Sequence, residues 1–221
     1  MKENDQLQTM LEMQDRLNSV VNPNWKDAGY NFNLAIADEG MELLNHYGWK
    51  WWKGFKPDVP QCRLELVDIF HFLLSKAILL DQKGEKPGAA KLLENVLTED
   101  FPKSDDPQDV RRAIVRMVNL ATESAILESN FHAMLVTFRK LMISFDLELS
   151  EIFELYVQKN VLNLFRQANG YKLGTYVKIW FDGREDNEHL AEICDSVDFS
   201  STDCQSEIER QLAERYAKNI S

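Results

Sequence analysis

Apolar residues recur along this chain at mixed spacings of three and four, the period of an amphipathic α-helix rather than the alternation of a strand. Leu7, Met10, Leu11, Met13, Leu17, Val20 and Val21 predict a helix over 5–21, with Pro23 just after its end. Phe32, Leu34, Ala35, Ile36, Leu43 and Leu44 predict a second over 32–47, ending before Gly48. A third, 61–82, is apolar nearly all round from Leu64 to Leu80, which marks it as buried. The chain then turns polar, with Gly84, Pro87, Gly88, Pro102 and Pro107, interrupted by a short helical candidate at 88–98. Helices resume at 108–127 and 130–144, and a further one over 148–168 runs into Asn169-Gly170 as its stop. Asp186 to Ile193 and Gln205 to Ala217 read as short terminal helices. The pattern predicts an all-α helical bundle forming one domain over 1–221. Its core helices lie within 5–82 and 108–168, with a smaller, variable and mobile helical insertion at about 83–107.

Four charged positions stand against this pattern. Glu65 and Asp68, with His71, lie in the apolar third helix, where an uncompensated ion costs several kcal/mol or shifts its pKa. Glu39 and Glu42 sit three apart on the preceding helix and so share a face. Alone they would be ordinary surface acids. If the two helices pack together, four carboxylates converge and require protons, basic partners or divalent cations. The expected architecture is therefore a bundle with a four-helix metal-binding core. Hard oxygen ligands without cysteine favour Mg²⁺, with Mn²⁺ as a substitute. A di-iron bundle would need Glu-x-x-His twice, and only Asp68-x-x-His71 approaches that motif. Glu123 and Glu128 lack an apolar setting and are expected to be solvated.

Composition narrows the function. No apolar run approaches the roughly 20 residues of a membrane span. The start, Met1 to Asp5, lacks a signal-peptide plan, so a cytoplasmic protein with no membrane partner is expected. Cys62, Cys194 and Cys204 are scattered and odd in number, which argues against a disulfide framework or a zinc knuckle. A net charge of −11 excludes nucleic-acid binding through a broad basic surface. Yet Lys159, Arg166, Lys172, Lys178 and Arg184 face only Asp182 in 159–184, a local +4 that suggests an anion site in a phosphate-binding segment at about 159–187. Lys159, Asn163 and Arg166 follow one helix face, and the glycine-interrupted run from Tyr171 to Trp180 reads as a loop ordering over an anion. Gln14 and Asn18, four apart, offer amides on a shared face. Trp49, Trp51 and Trp52 either pack or stack on a ligand. Magnesium beside a basic segment is the composition of polyphosphate chemistry. With no P-loop and no nucleophile elbow, a hydrolase is implied rather than a kinase.

Three blocks in order resemble a known family. Glu39-x-x-Glu42, 22 intervening residues and Glu65-x-x-Asp68 resemble the all-α nucleotide pyrophosphohydrolases, the MazG-like superfamily. Glu42-Leu43-Leu44-Asn45-His46-Tyr47-Gly48-Trp49-Lys50-Trp51-Trp52-Lys53, Glu65-Leu66-Val67-Asp68-Ile69-Phe70-His71-Phe72 and Lys159 to Lys172 resemble its dimeric dUTPase branch across nearly the whole chain. The resemblance implies a homodimeric, Mg²⁺-dependent enzyme hydrolysing dUTP, and also dUDP, to dUMP. It assigns Glu39, Glu42, Glu65 and Asp68 to the metals, with one glutamate activating water. It assigns Lys159, Arg166, Tyr171 and Lys178 to the phosphates and Asn163 to the nucleoside. Gln14, Asn18, Trp51 and His71 would line the uracil and deoxyribose pocket. The stretch from Lys83 to Asp106 departs most from the family. Two alternatives stay open: a related dCTP or dNTP pyrophosphatase, since the amides of Gln14 and Asn18 can present either edge, and a non-catalytic helical dimer that binds a protein partner such as a repressor.

Overall fold

The structure is a computed structural model that describes residues 3–82, 88–104, 106–127, 130–199, 201 and 203–219. Residues 83–87 of the variable stretch and Glu128 lie outside them. Among the described residues there are nine α-helices and no strand: α1 (Glu3–Val21), α2 (Phe32–Tyr47), α3 (Val59–Gln82), α4 (Ala89–Leu97), α5 (Pro107–Leu127), α6 (Phe131–Ser144), α7 (Leu149–Ala168), α8 (Asp186–Cys194) and α9 (Cys204–Tyr216). The fold is all-α. Helices α1, α3, α5 and α9 start one or two residues earlier than the apolar pattern predicts, α3 and α5 with a proline at the start. Pro60 and Pro107 fall in the first turn, where a missing N–H costs nothing and the fixed φ suits the helix. Asp58 Oδ1 accepts from the Gln61 amide at the head of α3.

The central element is α3, which packs against α1, α2, α4, α6 and α7. Its apolar circumference explains this, because every face has a neighbour to bury. Phe70 stacks on Phe138 of α6 with centroids 5.2 Å apart and meets Tyr156 of α7 edge-on. Helix α2 lies between α3 and α5. It is opened by the Asn31 side chain and closed by Gly48, whose φ of 87° lets its amide reach the carbonyls of Leu44 and Asn45. The α2–α5 contact is close at Gly40, where a Cβ would stand 2.8 Å from Val118 Cγ2. Leu93, Val96 and Leu97 of α4 are buried in the same core, against α1, α3 and α6. Helix α7 starts with a Glu148–Glu151 capping box and packs on α1 and α3, while α8 and α9 pack on α7. The three cysteines are free and buried. No described helix is long and apolar enough to cross a membrane.

Gly40→Val is expected to force α2 and α5 apart and cost about 1–3 kcal/mol, with part restored by Val118→Ala. Denaturant unfolding of the single and double variants checks this.

Candidate active site

One face of α2 presents Glu39 and Glu42 to Glu65 of α3, and a carboxylate oxygen from each lies within 4.8 Å of the others. Glu39 and Glu65 also hydrogen-bond to each other, which takes a proton. Burial, with the charges of Asp68 and Glu65 next, pushes Glu39 up to about 8. Burial, then Asp68 and Glu42, pushes Glu65 up to about 7. His46 Nε2 stands 3.5 Å from Glu65 Oε1. Three hard oxygen donors whose mutual repulsion has no full relief within the protein form a set suited to a divalent cation. Asp68, expected as the fourth ligand, lies outside that 4.8 Å group, yet its charge is the largest electrostatic influence on both Glu39 and Glu65. Its Oδ2 accepts from Lys159 Nζ at 2.9 Å, both side chains being largely buried.

Beside the acids opens a cavity of about 460 Å³, the size of a small-ligand pocket. Its lining brings together nine of the residues singled out in the sequence: Gln14, Asn18, Glu39, Asp68, His71, Lys159, Asn163, Arg166 and Tyr171. They come from α1, α2, α3, α7 and the turn at Tyr171–Leu173.

The amide of Gln14 is spoken for. Its Oε1 accepts from the Tyr156 hydroxyl at 2.9 Å and lies 2.7 Å from His71 Nδ1, while its Nε2 donates to Asn18 Oδ1 and to Ser75 Oγ, each at 3.0 Å. Asn18 Nδ2 donates to the same hydroxyl, which donates onward to the His71 carbonyl. Gln14 therefore has no free edge for a ligand and cannot flip without breaking this network. The oxygen at His71 Nδ1 assigns the proton to that nitrogen, so Nε2 carries a lone pair. That atom is buried and has no partner. Burial, reinforced by the Lys159 charge, lowers His71 to about 3, and stacking on Tyr156 at 4.3 Å fixes the ring. His71 is a neutral imidazole whose residue lines the cavity, with an unpartnered buried Nε2.

Trp51 and Lys178 lie elsewhere. Trp51 is 84% exposed, in the single turn Trp51–Lys53, and meets Trp52 edge-on. The cavity flanks Phe32 and Glu39, and Tyr47 at the end of α2 is about 12 Å further along the axis, before Gly48 turns the chain away. Lys178 is exposed and faces Glu185 at 3.5 Å. The aromatic wall comes instead from Trp25, Tyr30, Phe32 and Phe72. Sequence reasoning missed these four; the signal was their density after Pro23, together with Phe72 beside His71. Trp25 is locked by its Nε1 donating to Asp15 Oδ1 and by its edge contact with Phe32.

The dUTPase family model matches residues 6–171, a span holding every element that lines the cavity and the acid cluster. The chain belongs to the dUTPase family. No curated protein matches the sequence. The enzyme is thus a dUTP diphosphatase, a hydrolase of nucleotide metabolism acting on a deoxyuridine nucleotide.

The raised proton affinities of Glu39 and Glu65 set the sign of the pH response. Folded groups that hold protons above the ordinary 4.5 contribute stability below about pH 4.5 and lose it as pH rises through 7 to 8. With chelator present, Tm is expected to fall across that window, and a divalent cation should raise Tm more at about pH 8 than at about pH 5.5. Thermal melts of the enzyme and of Glu39→Gln, whose response should be flatter, check it.

Proposed function

We propose that this enzyme hydrolyses dUTP, and also dUDP, to dUMP with Mg²⁺ held by Glu39, Glu42, Glu65 and Asp68. Bound there, the cation would neutralise phosphate charge and make water a better nucleophile. The chain's own residues divide the remaining work. Glu39 is the one member of the acid cluster that also lines the cavity, and in this reading it accepts the proton of the attacking water. Asp68 and Lys159 act as a pair: the carboxylate keeps the ammonium at the cavity wall, where it meets the phosphates. Asn163 and the outer edge of Arg166 complete the polar lining, with Tyr171 beside the guanidinium at 5.9 Å from its ring centroid.

Base choice rests on one observation, the unpartnered acceptor of His71. Uracil carries a donor at N3 and cytosine a lone pair, so a fixed acceptor pairs with the first and repels the second. The network through Gln14, Tyr156 and Ser75 holds the tautomer that makes this distinction. Trp25, Tyr30, Phe32 and Phe72 supply the faces against which the base and deoxyribose pack. A homodimer is supported by exposed apolar residues on the α2–α5 pair, Leu34 and Met41 on α2 and Val115 on α5. A cytoplasmic site of action accords with work on the free nucleotide pool.

Pyrophosphate release from a panel of dNTPs, with Mg²⁺ and with EDTA, tests the reading. dUTP should be turned over with kcat/KM at least ~100-fold above dCTP, and His71→Ala should shrink that ratio about tenfold. Glu65→Gln should lower dUTP turnover at least ~100-fold while the protein stays folded. Release that is absent from every dNTP, or equal for dUTP and dCTP, would contradict it.

A further inference from the structure

The region after the family match, from residue 172 onward, carries no residue of the acid cluster and none lining the cavity. It does hold Asp186, the first residue of α8, which is 0% exposed and meets Arg166 of α7. Arg166 donates from Nε to Asp186 Oδ2 and from Nη2 to Oδ1, both at 2.8 Å, so the pair is bidentate through the side edge of the guanidinium. Of the five N–H groups, Asp186 takes two, and a third from Nη1 goes to Asn163 Oδ1 at 3.3 Å. The two left over belong to the outer edge of the fork, on Nη1 and Nη2. Arg166 is a cavity-lining residue, so that edge is the one available to an anion.

Asp186 is itself held from the C-terminal side. The Tyr176 hydroxyl donates to its Oδ2 at 2.9 Å, and the Tyr176 ring stacks on Tyr216 of α9 at 5.1 Å. The Tyr216 hydroxyl in turn accepts from the Val177 amide at 3.1 Å. A chain of direct contacts therefore runs from α9 to the guanidinium.

We propose that Asp186 is a positioning residue for phosphate binding: it clamps the side edge of Arg166 so that only the outer edge meets the nucleotide's phosphates. The inference rests on Arg166 being a phosphate ligand in the function proposed above. A buried arginine without this carboxylate would keep its charge but lose its direction, and direction is what a planar fork contributes over a point charge. The C-terminal helices α8 and α9 thereby serve the reaction without touching the substrate.

The test compares binding of two probes, non-hydrolysable α,β-imido-dUTP and deoxyuridine, by calorimetry with Mg²⁺ present. Asp186→Asn should weaken the triphosphate analogue about tenfold and leave deoxyuridine unchanged, because only the former has phosphates to meet Arg166. Tyr176→Phe, which removes one bond to Asp186 and spares the ion pair, should show a smaller loss of the same selectivity and carries the test if Asp186→Asn does not fold. In an Arg166→Gln background, Asp186→Asn should add nothing further. An unchanged analogue affinity, an equal loss for both probes, or additive losses in the double variant would overturn the inference. A wild-type enzyme that binds neither probe would instead overturn the function reading, and this inference with it.

Discussion

Everything in this molecule is arranged around the cost of holding Glu39, Glu42 and Glu65 within 4.8 Å of one another in a helical scaffold that buries Glu65 and half-buries Glu39. Such a cluster would drive two free helices apart. It persists because the α2–α3 interface is gripped from outside: α3 is enclosed on every side by apolar neighbours, and α2 is pressed against α5 at Gly40. The packing energy of the bundle is spread over many residues, while the electrostatic cost falls on three. A proton held between Glu39 and Glu65 would offset part of that cost, and a cation the rest. The site is in this sense loaded by the fold, ready to exchange protons for metal.

The same burial acts with opposite sign a few residues away. It raises the proton affinity of Glu39 and Glu65 and lowers that of His71, because in each case the charged form is disfavoured. Lys159 contributes to both: it relieves Glu65 and further disfavours a charge on His71. One wall of the cavity is thus suited to gaining positive charge and the other to remaining neutral.

The basic stretch from Lys159 to Arg184 illustrates how tertiary structure redistributes charge. Read along the chain, it is a strip of free cations. In the fold Lys159 lies on Asp68, Arg166 on Asp186, Lys178 opposite Glu185, and Arg184 between Asp182 and Glu192, while Lys172 donates to the Val21 carbonyl at 2.8 Å. Only selected edges remain for an anion. What the stretch offers is direction more than total charge, and two of the carboxylates that supply it, Asp186 and Glu192, lie in α8, beyond the family match.

Helical periodicity determined the helices closely, because a 3.6-residue repeat of buried positions is a local property that survives in one dimension. The same local logic exposed Glu65, Asp68 and His71 as misfits in an apolar helix, and motif order carried the family. Periodicity could not show which polar atoms would be left over once the chain closed. Gln14, expected at the base pocket, lines the cavity with its amide engaged to His71; Trp51 sat beside the acids in sequence but beyond a left-handed glycine turn in space; Asp186, read only as the start of a short helix, is the partner of Arg166. Hydrogen-bond saturation and side-chain direction depend on residues as far apart as Gln14 and Tyr156, so they exist only in the packed fold. Local spacing decided what each helix was and which residues were costly to bury; tertiary packing decided which of them keep a free edge for the substrate.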